Sequence, residues 1–70
     1  MWLKANRIDR LLAENRITRK ELAREFDCDL FYINRIFEGN TEADEELSQL
    51  LIAAFGANEM EQVIDCRTAH

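Results

Sequence analysis

Proline is absent from this 70-residue chain, and glycine occurs only twice. A turn-rich β-sandwich needs both residues at its reversals, and a phosphate-cradling loop needs several glycines, so neither is expected. Cys28 and Cys66 are the two cysteines, with no CxxC spacing, which leaves no disulfide framework and no zinc knuckle. His70 is the single histidine and Ser48 the only serine, so hydrolase triads and histidine-based metal sites lack their parts. The chain therefore does not read as an enzyme, and no catalytic residue, metal ligand, cofactor or small-molecule substrate is expected. The longest apolar run, residues 50–55, is far short of the ~20 residues that cross a bilayer. With no charged n-region followed by an apolar stretch at its start, the expected location is the cytoplasm, away from any membrane.

What is present is a balance of 47% hydrophobic and 33% charged residues, which suits one folded domain over residues 1–70. A chain of this length buries only ~60% of its unfolded surface, so the core must be economical. The net charge of −5 is unevenly spread. Residues 1–37 carry eight basic side chains against six acidic, a net of +2, and residues 38–70 carry one against eight, a net of −7. A basic face can thus be confined to one end of an acidic molecule.

Apolar spacing predicts helices throughout. Ile8, Leu11 and Leu12 recur at i, i+3 and i+4 with Arg7, Arg10 and Glu14 opposite, giving a first helix over residues 3–15. Thr18 and Glu21 have the spacing of a capping box, with Ile17 and Leu22 as its hydrophobic staple. A second helix follows over residues 19–26, burying Leu22, Ala23 and Phe26. Asp29 is read as the cap of a third helix over residues 30–37 or 38, with Cys28 and Ile33 as staple, an inward stripe of Ile33, Ile36 and Phe37, and Gly39 as its stop. Thr41 is read as the cap of a fourth helix that opens with Glu42, Asp44, Glu45 and Glu46 and ends at Gly56. This acidic turn matches the helix dipole. Leu47, Leu50, Leu51, Ala54 and Phe55 form its expected buried face. Asn58 and Glu61 suggest a capping box for a fifth helix with Met60, Val63 and Ile64 on one face, and residues 66–70 read as a frayed tail. Cys28 reads as a small core hydrophobe. Trp2 is expected to fold back on the first or fifth helix, or to join an apolar patch with Met60 and Val63.

A short helix, a turn of about three residues and another short helix form the helix-turn-helix layout, here over about residues 18–37. It needs a small residue where the helices cross, which Ala23 supplies, and apolar residues inside, which Cys28, Ile33 and Ile36 supply. The stretch ITRKELAREFDCDLFYINRIFEG, residues 17–39, resembles the Cro/CI-type (XRE-like) helix-turn-helix family of phage and bacterial regulators. Ile17-Thr18, Glu21-Leu22-Ala23, Ile33-x-Arg35-Ile36 and Gly39 carry the resemblance, which extends over about residues 5–64. It implies an all-α, compact five-helix domain whose third helix enters the major groove of double-stranded operator DNA, with a homodimer on a two-fold site as the expected mode. By the family pattern Arg19 would hold a phosphate, and Asp29, Leu30, Phe31, Asn34 and Arg35 would face bases and backbone. Asparagine can pair with adenine and arginine with guanine. Arg16, Thr18, Lys20 and Arg24 would add contacts to phosphate.

Three positions depart from the family pattern. Asp27 stands where the turn usually has glycine, and so needs a left-handed backbone. Asp29 puts a carboxylate at the start of the third helix, and its capping role is preferred over a DNA contact. Leu30, Phe31 and Tyr32 are apolar or aromatic where polar residues are usual. A surface of this kind suits a protein partner, which gives the alternative of an antirepressor or modulator docking on another repressor. Phe31 and Tyr32 could also pack against the fourth helix.

Overall fold

The computed structural model describes residues 1–65, which form five helices: α1 Ala5–Glu14, α2 Arg19–Glu25, α3 Leu30–Phe37, α4 Glu45–Phe55 and α5 Ala57–Val63. Two short strands, β1 Trp2–Leu3 and β2 Ile64–Asp65, pair antiparallel with Trp2 opposite Asp65 and Leu3 opposite Ile64. The described part of the molecule is thus mostly helical, with one small ladder that periodicity does not announce. Cys66 and His70 lie outside the described residues. Among the described residues, no helix is long and apolar enough to cross a membrane.

The first three helices end in the same way. After α1, Arg16 takes a left-handed φ of 55°, and the amides of Arg16 and Ile17 reach back to the carbonyls of Ala13 and Leu12 at 3.1 and 3.0 Å. After α2, Asp27 (φ 54°) and Cys28 repeat the pattern onto Arg24 and Ala23 at 3.2 and 2.8 Å. After α3, Gly39 (φ 80°) and Asn40 do so onto Ile36 and Arg35 at 3.1 and 2.9 Å. Each is a Schellman closure, which satisfies orphan carbonyls and reverses the chain within a few residues. Asp27 meets the left-handed requirement read from sequence. Arg16 carries the same requirement without a glycine or asparagine to signal it.

The capping residues expected from sequence are found at two helix starts and are replaced at two. Thr18 and Glu21 form the expected capping box at 3.1 Å in both directions. Asp29 Oδ1 accepts from the Phe31 amide at 2.9 Å, so it caps α3. Helix α4, however, begins at Glu45 and is capped by Asp44, whose Oδ1 accepts from Leu47 N at 2.8 Å; Thr41 is not its cap. The cause is long-range: Ala43 is buried and its amide donates to the Met1 carbonyl at 2.8 Å, which holds the preceding segment out of the helix. Helix α5 has no Asn58 cap. Gly56, at φ 92°, closes α4 and opens α5 at once, so the helix begins at Ala57 with Asn58 already inside it.

One core gathers Ile8, Leu11 and Leu12 of α1, Leu22 and Ala23 of α2, Ile33, Ile36 and Phe37 of α3, and Leu47 and Leu51 of α4. Leu3, Ala43, Met60 and Val63 complete it. Burying each large side chain contributes about 1.5–3 kcal/mol, and together these offset the ordering of a short chain. The inward face of α4 is narrower than expected: Leu50 and Phe55 are half-buried and Ala54 is exposed. Phe26 is also only half-buried, packed against the core as the residue that closes α2. Cys28 packs on the core too, its thiol donating to the Phe26 carbonyl at 3.4 Å. Residues 3 and 4 lie outside α1, because Leu3 belongs to β1 and the Lys4 amide donates to Val63 O at 2.8 Å. Ile64 leaves α5 for β2, and Trp2 sits in β1; Met60 and Val63 are buried, so they form no exterior patch with it.

Candidate nucleic-acid interface

Helices α2 and α3 pack against each other, Ala23 of α2 is buried, and the chain turns between them at the left-handed Asp27. Ile33, Ile36 and Phe37 then point inward, which turns Leu30, Phe31, Asn34 and Arg35 away from the core. Phe31 is 68% exposed and Leu30 37%, among the most exposed large hydrophobic residues. Phe31, Asn34 and Arg35 line an open groove with Glu38 and Asn40.

The residues that the sequence assigns to this surface do not behave alike. Lys20 and Arg35 are exposed, and Arg35 Nε donates to Thr41 Oγ1 at 3.1 Å. Tyr32 turns away from the groove: it is half-buried, and its hydroxyl donates to Asp44 Oδ2 at 3.0 Å. It therefore braces α3 against the start of α4. Burial first, and then this hydrogen bond, push the phenol above its ordinary pKa. Cys28 is also held above the usual thiol range, by burial and then by Asp44, Glu46 and Asp27, so its thiolate is disfavoured.

Arg19 is the most committed of these residues. Its Nε and Nη2 grip Asp9 of α1 at 3.0 and 2.7 Å, a bidentate pair. Its Nη1 donates to Asn34 Oδ1 at 3.1 Å and to Glu38 Oε2 at 3.4 Å, both contributed by α3 or its cap. The guanidinium carbon also stands 5.7 Å from the centre of the Phe37 ring. The hydrogen bond to Asp9 raises the Arg19 pKa, partly opposed by burial and reinforced by Glu38. One side chain thus ties α1, α2 and α3 together. Two carboxylates already face its charge, so it offers little net positive field to a phosphate.

Asp9, Glu38, Asn40 and Thr41 belong to this surface and were not assigned to it from sequence, Thr41 having been read as a helix cap. Asp9 pairs with a residue on another helix, so no local spacing marks it. Glu38 and Asn40 flank Gly39 just beyond α3, where Gly39 drew the reading toward the stop signal. Among the described residues, no group of three His, Cys, Asp or Glu side chains could hold a metal ion. The chain matches no protein-family model, no curated protein and no solved structure.

Proposed function

We propose that this chain is a small DNA-binding regulator with a Cro/CI-like helix-turn-helix, in which α3 enters the major groove. The observation that carries the reading is the α2–turn–α3 unit, with Ala23 buried and Asp27 left-handed in the turn, whose second helix turns Leu30, Phe31, Asn34 and Arg35 away from the core. An eight-residue helix is about 12 Å long and fits a major groove about 12 Å wide. Leu30 and Phe31 suit thymine methyl groups, and Arg35 suits guanine or phosphate. Because Arg19 is occupied by Asp9 and Glu38, the phosphate contacts fall to exposed cations such as Arg16, Lys20 and Arg24. Two copies on a two-fold site would place their half-sites about one helical turn apart.

The test is selection of bound duplexes from a randomised pool, followed by fluorescence anisotropy across a salt series. Sequence-selective binding is expected, with a log–log salt slope of about −5 for roughly six phosphates neutralised by the two copies. Weak, sequence-indifferent binding confined to low salt would remove the reading. A second reading draws on the exposure of Leu30 and Phe31 and on the acidic net charge: α3 docks on another repressor protein. Under that reading a double change, Leu30→Ser with Phe31→Gln, abolishes capture of the partner while leaving the helical spectrum intact.

A further inference from the structure

Arg19, Asp9 and Glu38 put one positive and two negative charges beside α3, a net of −1. The two carboxylates are not held alike. Asp9 takes two bonds, from Nε and Nη2 at 3.0 and 2.7 Å. Glu38 takes one, at 3.4 Å, from the Nη1 that also donates to Asn34. Paired bonds from arginine to one carboxylate are the strong form of this contact, whereas a single long bond between exposed groups contributes little. The Glu38 side chain is 55% exposed, and it lines the groove with Phe31, Asn34, Arg35 and Asn40. Glu38 is thus the loosely held member of the three, and it stands on the surface assigned to DNA.

Resting on the DNA-binding reading above, we infer that Glu38 is an autoinhibitory contact that limits affinity for DNA. Carboxylate and phosphate oxygens compete for the same guanidinium donors. A guanidinium has five N–H groups, and Asp9, Asn34 and Glu38 engage four of them. While Glu38 holds its donor, its charge also repels the phosphate strand that would approach the groove. Without that charge, Asp9 balances Arg19, and the second N–H of Nη1 is open to a phosphate. Asp9 is the positioning residue, since its paired bonds keep the guanidinium beside α3 whether or not Glu38 is engaged.

The experiment measures fluorescence anisotropy across a salt series on the duplex selected above. It compares the full chain with Glu38→Gln, Glu38→Ala and Glu38→Gln combined with Arg19→Met, each checked for its helical spectrum. Glu61→Gln, at an exposed position of α5, makes the same change in net charge outside the groove. Glu38→Gln and Glu38→Ala should each bind about fivefold more tightly per copy, the worth of an exposed ion pair. Their log–log salt slope should steepen from about −5 to about −7, as each of two copies takes one more phosphate. Adding Arg19→Met should return the slope to about −5, and Glu61→Gln should leave it there.

Unchanged or weaker binding by both Glu38 variants, with an unchanged slope, would overturn the inference and leave Glu38 a purely structural partner. An equal gain in Glu61→Gln would overturn it too, because net charge alone would then account for the effect. So would a slope that stays steep after Arg19→Met is added. If the Arg19→Met combination fails to fold, the slopes of the two Glu38 variants against Glu61→Gln decide alone. Sequence-indifferent binding by the unchanged protein would overturn this inference and the DNA-binding reading together, whereas selective binding with no gain on losing Glu38 removes this inference only.

Discussion

Asp44 does two jobs with one carboxylate. Its Oδ1 caps the Leu47 amide, and its Oδ2 accepts from Tyr32. The cap first, and then the phenol bond, hold its pKa below the ordinary carboxylate value. A depressed folded-state pKa adds stability that is full above the unfolded value and is lost as pH falls through the folded one. Asp44→Asn keeps a capping oxygen, and its Nδ2 can donate to the Tyr32 hydroxyl in place of the bond it received, but it cannot titrate. Thermal melts followed by circular dichroism between about pH 2 and 6 should show a shallower acid loss in the variant than in the parent. Equal slopes would show that Asp44 does not contribute to the acid transition. Neither partner of this bond was legible as a pair. Tyr32 reads as part of an apolar run, and Asp44 as one acid among several. Arg19 shows the same limit, since a basic residue on a helix start looks like a free charge until Asp9 comes to meet it from α1.

Elements whose ends are decided by neighbours in sequence were the legible ones. The Thr18 capping box, the Asp29 cap and the Gly39 stop each depend on residues within four positions, and the structure has all three. The start of α4 and the opening of α5 depend instead on where Ala43 is buried and on a glycine shared by two helices. Local spacing pointed to Thr41 and Asn58, and packing overruled both. The left-handed residues divide along the same line. Asp27 tolerates that conformation through its short polar side chain, whereas Arg16 has a Cβ and no such compensation. Arg16→Gly should therefore raise unfolding stability by up to about 1 kcal/mol, and by more than Asp27→Gly does. Chemical denaturation of the two variants checks the order. A neutral or destabilising Arg16→Gly would mean that glycine's greater freedom in the unfolded chain outweighs the relief.

For the molecule as a whole, the fold class was readable because helical periodicity repeats in nearly every segment. The strand pair was not, because two residues give no alternation to detect and their partners lie at opposite ends of the described chain. Leu3 shows that the pair matters: it is buried in the common core although it lies outside every helix. Leu3→Ala should cost about 2–4 kcal/mol. A domain of this size has only roughly 4–10 kcal/mol in total, so the variant should be substantially unfolded at moderate denaturant. A midpoint within error of the parent would show that β1 is an accessory to the core. The division of charge was legible as a sum, yet its local effect was not, because Asp9 and Glu38 neutralise Arg19, the arginine of α2 that meets α3.

The two-rung ladder also sets how the domain responds to tension. Trp2 and Asp65 form its outer rung, so a pull applied between them opens the rungs one after the other instead of shearing both together. The second rung to part is the one that carries Leu3, and its loss takes a side chain out of the interior. A tether anchored at these two positions would therefore meet its mechanical resistance in the seating of Leu3 and the helices around it, with little from the strands themselves.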